Sequence, residues 1–398
     1  MYTVSDLRIA RNVEFPDTLR IARARSLPNL GPRLLFFSGG SALNEIARVL
    51  KLYTHNSIHL ITPFDSGGSS QVLRDAFEMP AVGDLRSRLM ALADESVLGQ
   101  PDIFRLFSYR FPKVASPAAL DDEFTTLMDG RHRLMKAVSQ PMRSLILSQL
   151  KVFAANRPTD FDLTGASVGN LILAGGYLGH DRALEPVLFL MSKMVEVQGI
   201  VRAIVDRNLD IAAELQDGTV IPTQRLITGK EVPPITSPIR EVFLSDGGAR
   251  LTDEDVPLPK RNRKLIGQAD LICYPPGSLF TSLIANLLPK GVGRAVAARN
   301  VPKIYLPSLG FDPECHGMTL SDQVSAILAA LMADAGAECP VTDLVSVILC
   351  DSDTFDAQEA SRLKTRFGLT VMPLPLRKAE DPSRYDPEKV SEALISLT

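Results

Sequence analysis

Three short stretches carry residue types suited to holding phosphate: Ser38-Gly39-Gly40-Ser41, Asp65-Ser66-Gly67-Gly68-Ser69-Ser70 and Pro276-Gly277-Ser278. Glycine lets the backbone turn sharply and come close to a ligand. A serine or threonine next to it adds hydroxyls, and the N–H groups opening the following helix favour an anion. One such corner is also what an ordinary tight turn before a helix looks like. Three of them, each after an apolar run, form a pattern that fits a ligand with phosphates, a diphosphate among them. Gly39, Gly40, Ser41, Gly67, Gly68, Ser69, Gly277 and Ser278 are therefore the candidate ligand-binding residues.

Asp65 is the carboxylate of the middle corner. Magnesium is commonly held by one or two carboxylates together with substrate phosphates, so Asp65 is the candidate metal ligand and Mg2+ the candidate cofactor. A second reading makes Asp65 the acid that holds the ribose of NAD at the end of a second strand. The first corner lacks the full G-x-G-x-x-G spacing, which disfavours an NAD-dependent oxidoreductase. A third reading makes Asp65 a loop cap. Asn170 heads an apolar helix in Gly165-Ala166-Ser167-Val168-Gly169-Asn170, where it either caps a loop or meets ligand. His316 lies in a turn after a strand, as a surface histidine would. The five histidines form no serine-histidine-aspartate constellation, and no catalytic residue is assigned.

These corners need strands before them and helices after them. Leu34-Leu35-Phe36-Phe37 is a four-residue apolar run of the kind buried on both faces of a parallel sheet, with Ser41 as the expected cap of a helix over 43–50. Ser57 to Pro63 gives the second strand, followed by a helix from about Gln71 to Phe77. Asp84 is the expected N-cap of the next helix. Helical periodicity then runs almost unbroken, and about 95–200 reads as a helix-rich insertion. Beyond it the pattern changes to strand at 201–205, 209–215 and 220–221, with a hairpin turn at Gln216-Asp217-Gly218, and again at 240–244. Alternating strands and helices follow, the strands at 270–274, 303–306, 344–350 and 369–374. Residues 1–32 read as an arm or short hairpin, and 33–398 as one α/β domain with a mostly parallel sheet covered by helices.

The 398 residues include 43 basic and 46 acidic side chains, a net charge of −3, with no long block of one sign. That balance supports neither a nucleic-acid partner nor a membrane-surface partner. Met1 to Arg20 lacks the apolar stretch of a secretory signal. The weakly charged runs at 165–179 and 185–201 are too short or interrupted to span a bilayer. The four cysteines are widely spaced, without metal-ligand spacing, as expected for reduced thiols in a cytoplasmic protein.

Taken in order, Phe37-Ser38-Gly39-Gly40-Ser41, Asp65-Ser66-Gly67-Gly68-Ser69-Ser70, Gly83-Asp84-Leu85-Arg86, Ser167-Val168-Gly169-Asn170-Leu171, Asp217-Gly218-Thr219 and Pro276-Gly277-Ser278-Leu279-Phe280-Thr281-Ser282 resemble the CofD-like superfamily. This superfamily holds 2-phospho-L-lactate transferases and the YvcK gluconeogenesis-factor proteins, and the likeness is closer to the YvcK branch. The resemblance implies a Rossmann-like fold that binds a nucleotide diphosphate or nucleotide sugar. It implies either a magnesium-assisted phosphoester transfer or a non-catalytic UDP-sugar-binding regulator of carbon metabolism or cell shape, and a homodimer of the family's kind. By the same resemblance Asp65 matches the first acid of an Asp-Asp-Gly-Gly pattern, and Asn170 a Gly-Asn helix start. Ser66 stands where the second acid is expected, and Glu314-Cys315-His316-Gly317 replaces a Glu-Thr-Asp-Gly loop.

Overall fold

The computed structural model describes residues 12–96, 99–229 and 232–398. Its strands are β1 (Leu34–Ser38), β2 (Ile58–Ile61), β3 (Ile200–Ala203), β4 (Asp210–Leu215), β5 (Val220–Ile221), β6 (Ile239–Asp246), β7 (Ala249–Arg250), β8 (Leu271–Tyr274), β9 (Lys303–Tyr305), β10 (Val347–Asp351) and β11 (Thr370–Leu374). Seven of them form a parallel sheet in the order β11-β10-β9-β8-β1-β2-β3, and β5-β4-β6-β7 form a small antiparallel sheet. The chain leaves β1 toward one edge through β2 and β3. It then returns to β8 on the other side of β1 and proceeds outward through β9, β10 and β11. The winding direction therefore reverses between β1 and β8.

β1 sits at this centre because its side chains are apolar on both faces. Leu35 and Phe37 pack with Ile327, Leu328 and Leu331 of the helix Leu320–Ala335 and with Ile211 and Val242 of the small sheet. Leu34 and Phe36 point the other way, toward Ile46 and Leu50 of the helix Asn44–Leu50 and Val390 and Leu394 of the helix Pro387–Ser396. Burying each such side chain is worth about 1.5–3 kcal/mol.

The crossover from β2 to β3 is helical from Gly68 to Met194 and has a core of its own around Leu89, Phe107, Phe153 and Leu171. Residues 12–32 form no hairpin. The helix Thr18–Ser26 lies against Pro387–Ser396, with the Asp17 amide on Ser396 Oγ at 3.0 Å and Arg25 paired to Glu388 at 3.1 Å. The rest of the expected arm, 1–11, lies outside the described residues. Among the described residues no helix is long and apolar enough to cross a membrane.

Candidate functional site

The three corners lie at the carboxyl ends of β1, β2 and β8, which are neighbours in the sheet. At the first, a Cβ on Gly39 would stand 2.5 Å from Thr62 Oγ1 and 3.1 Å from Ser282 Oγ. The end of β1 is thus pressed between the ends of its two neighbours. Gly40 then turns with φ +59, a conformation costly for residues with a Cβ, and Gly277 has φ +150. Gly39, Gly40, Ser41 and Ala42 on one side and Pro276, Gly277 and Ser278 on the other wall a crevice of about 310 Å³. Its outer wall is Ser308 to Pro313, together with Glu45, Ser383, Arg384 and Tyr385.

Many of the amides expected to face a ligand already hold an acidic side chain. The Gly40 N–H donates to Asp84 Oδ2 at 2.6 Å. The Leu279 N–H donates to Asp312 Oδ2, and those of Phe280 and Thr281 to Glu314 Oε2, each at 2.9 Å. Gly67 donates to Asp65 Oδ1 at 3.0 Å, and Gly277 to Ser308 Oγ at 3.0 Å. No hydrogen bond within the described residues uses the N–H groups of Ser41 and Ala42. Glu314 is buried, and burial with the nearby Asp312 charge pushes its carboxyl up to about 7 against the bonds from Thr281 and Phe280.

Several local expectations are corrected by these contacts. Ser41 does not cap the first helix, whose N-cap is Leu43. Asp84 is not an N-cap either. The helix Gly83–Leu92 is capped at Val82, and Asp84 in its first turn reaches across to the β1 corner instead. The segment after Ser278 opens as a single π-turn, Leu279–Leu283, followed by a 3₁₀ turn, rather than a regular apolar helix.

The middle corner opens on a second cavity, of about 440 Å³. Gly68 and Ser69 line it with Asn170, Ser167, Arg110 and Lys113. Asn170 is buried at the start of the helix Val168–Gly179. It accepts from Arg86 Nε at 2.9 Å and donates to Ser69 Oγ at 3.3 Å. Burial, reinforced by the neighbouring charge of Arg110, holds the Arg86 guanidinium down to about 10, partly offset by Asp84. Ser167 Oγ is buried without a hydrogen-bond partner among the described residues.

At Gly83 a Cβ would lie 2.6 Å from Ser70 Oγ and 3.6 Å from Asp65 Oδ2. Asp65 lines neither cavity. Ser66 is buried as a joint to the helix Gln224–Thr228, accepting the Arg225 amide at 2.9 Å and donating its own to Gln224 Oε1 at 3.3 Å. His316 is exposed and outside both cavities. Among the described residues no group of three histidines, cysteines or acids gathers as a metal cage.

The reversal of winding between β1 and β8, with glycine corners on either side, is the arrangement of doubly wound nucleotide-binding sheets. The family model described as 2-phospho-L-lactate transferase CofD matches residues 34–396. The chain belongs to this family. Within it, the chain is 30% identical over 303 residues to the gluconeogenesis factor of Bacillus subtilis, covering 74% of each protein. It is 29% and 30% identical to relatives from Clostridium acetobutylicum and Nostoc over 75% of its own residues, and spans about half of their length, 53% and 52%. A crystal structure of a UPF0052 family member from Bacillus halodurans has the same fold, with a TM-score of 0.66 at 24% identity, covering 92% of this chain and 99% of the other. This CofD-family chain is thus similar to proteins named gluconeogenesis factor, and its Gly-Gly-Ser corner lies beside the switch point.

Residues that sequence reasoning missed are Asp312, Glu314 and Ser167, together with the cross-strand role of Asp84. Glu314 was legible only as the first residue of an unusual version of a family loop. No local signal reveals that a carboxylate 33 or 34 residues away will take the amides of the β8 corner.

Proposed function

We propose that the chain binds a nucleotide diphosphate or a nucleotide sugar across the carboxyl edge of its parallel sheet. The observation that carries this reading is the crevice at the β1/β8 switch point, walled by Gly39 to Ala42 and Pro276 to Ser278. The diphosphate lies on the Ser41 and Ala42 side, where amides are free to donate. The remainder of the ligand runs past Gly83 toward Ser69 and Asn170.

Magnesium would be held by Asp65, whose Oδ2 faces Gly83 outside the crevice lining, and would supply charge neutralisation where the ligand passes Gly83. One protein carboxylate fits an ion bound mainly through ligand phosphates and water rather than one caged by protein. Any transfer reaction then proceeds by positioning and charge neutralisation rather than through a covalent nucleophile.

A second reading, binding without turnover, is favoured by Ser66, whose amide and hydroxyl are both engaged in structural bonds where the family pattern has an acid. With relatives named gluconeogenesis factor, that reading makes the chain a ligand-sensing regulator of carbon metabolism. A thermal-shift panel of UDP-sugars, GDP, GTP and NAD, with and without magnesium, tests the proposal. The expected result is stabilisation by the diphosphates, enhanced by magnesium in wild type and not in Asp65→Ala. Stabilisation by NAD alone would overturn it.

A further inference from the structure

Resting on that reading, we propose that the phenyl ring of Phe311 is the platform on which the ligand's base stacks. Phe311 is 84% exposed, among the most exposed large apolar side chains of the described residues, and yet it lines the switch-point crevice. A phenyl ring left in water at the mouth of a cavity gains when a flat apolar face covers it, and every nucleobase offers one.

The neighbouring carboxylates fix which end of the ligand comes here. Asp312, next to Phe311, holds the Leu279 amide at 2.9 Å, and Glu314 holds those of Phe280 and Thr281. On this side of the crevice Asp312 places a carboxylate with the Leu279 amide already used, which disfavours phosphate there. The Ser41 and Ala42 side keeps free amides, so the phosphates go there and the base goes to Phe311. Stacking of this kind accepts any base, so Phe311 supplies affinity for a nucleotide over a bare phosphate compound rather than a choice among bases.

The test uses the full chain, with UDP, GDP and inorganic pyrophosphate titrated by calorimetry into wild type and Phe311→Ala. The expected result is a loss of roughly ten- to a hundredfold in UDP and GDP affinity with pyrophosphate unchanged. The natural sequence has no tryptophan, so Phe311→Trp gives a lone fluorophore at the proposed platform. Its emission should be quenched by UDP and GDP and left alone by pyrophosphate. Equal nucleotide affinity in wild type and Phe311→Ala overturns the inference while leaving the binding proposal standing. It would reassign the exposed ring to a protein contact. Failure of wild type to bind UDP, GDP or a nucleotide sugar overturns both. Because the ring is exposed, melting temperatures of the variants should match wild type, which separates lost stacking from lost folding.

Discussion

The crevice between β1 and β8 is lined mainly by the segments that leave β1, β8 and β9, whereas the cavity around Asn170 is lined entirely by residues of the helical crossover. In the first, geometry comes from glycine corners and from acids that tie down the surrounding amides. In the second it comes from Arg86, Asn170 and Ser69, three residues from three helices joined by hydrogen bonds. Backbone at the ends of β1 and β8 is positioned by the sheet itself. The Asn170 cavity is only as well placed as the packing of the helices behind it. One region suits a part of the ligand common to many compounds, the diphosphate, and the other suits whatever distinguishes them.

The largest expected effect concerns Glu314, the buried acid that holds the Phe280 and Thr281 amides after β8. The Glu314 carboxyl is raised in the folded state to about 7 from an ordinary 4.5. A folded-state value above the unfolded one means that the native protein binds the proton more tightly. The resulting stability is fully present below about 4.5 and is lost as pH rises through 7, on the order of 3 kcal/mol in all. Urea unfolding of wild type from pH 4.5 to 8 should show this fall, and Glu314→Gln should flatten it. A wild-type profile that rises over that range would mean that the hydrogen bonds from Phe280 and Thr281 outweigh burial.

Next comes the packing behind the Asn170 cavity. Gly175 lies in the helix Val168–Gly179, and a Cβ there would stand 2.0 Å from the carbonyl oxygen of Gln149 in the helix Met142–Asn156. Gly175→Ala should cost about 2–3 kcal/mol in urea unfolding, because backbone rather than a movable side-chain tip must give way. At low temperature, where the variant stays folded, UDP affinity should hold within about twofold, since the crevice does not depend on this contact. A parallel loss of UDP binding would dissolve the contrast between the two cavities.

Asn170→Ala probes the same cavity more gently. It leaves the half-buried Arg86 Nε without its acceptor, a cost of about 1 kcal/mol. Calorimetry should show weaker binding of a UDP-sugar with UDP itself unaffected. If UDP weakens equally, Asn170 serves the diphosphate and the division of labour is different.

The strand β1 and its corner were readable because a four-residue apolar run followed by two glycines has few folded outcomes. The parallel sheet and the helical run before β3 followed from periodicity for the same reason. Asp84 was readable as a residue that belongs at a helix start. Its hydrogen bond to Gly40, 44 positions earlier, was not, because it exists only once the helix Gly83–Leu92 packs beside the β1 corner. The three corners occupy adjacent strand ends. They open on two separate cavities, a tertiary fact with no local signal.

The smallest expected effect is at Glu45, on the wall of the crevice. Its carboxylate binds Lys378 at 2.7 Å and Arg384 at 3.1 Å, and those partners hold its pKa below the usual range. The groups are substantially exposed, so Glu45→Gln should change stability by less than about 1 kcal/mol. Removing the carboxylate nonetheless leaves two cations less neutralised beside the proposed phosphate position. UDP affinity should then rise about two- to threefold at low salt, and the gain should fade by 0.5 M salt, where the screening length falls to roughly 4 Å. A fall in affinity at low salt would mean that Glu45 itself accepts a hydrogen bond from the ligand, as a ribose hydroxyl would donate. The crevice would then read its ligand through side chains as the Asn170 cavity does.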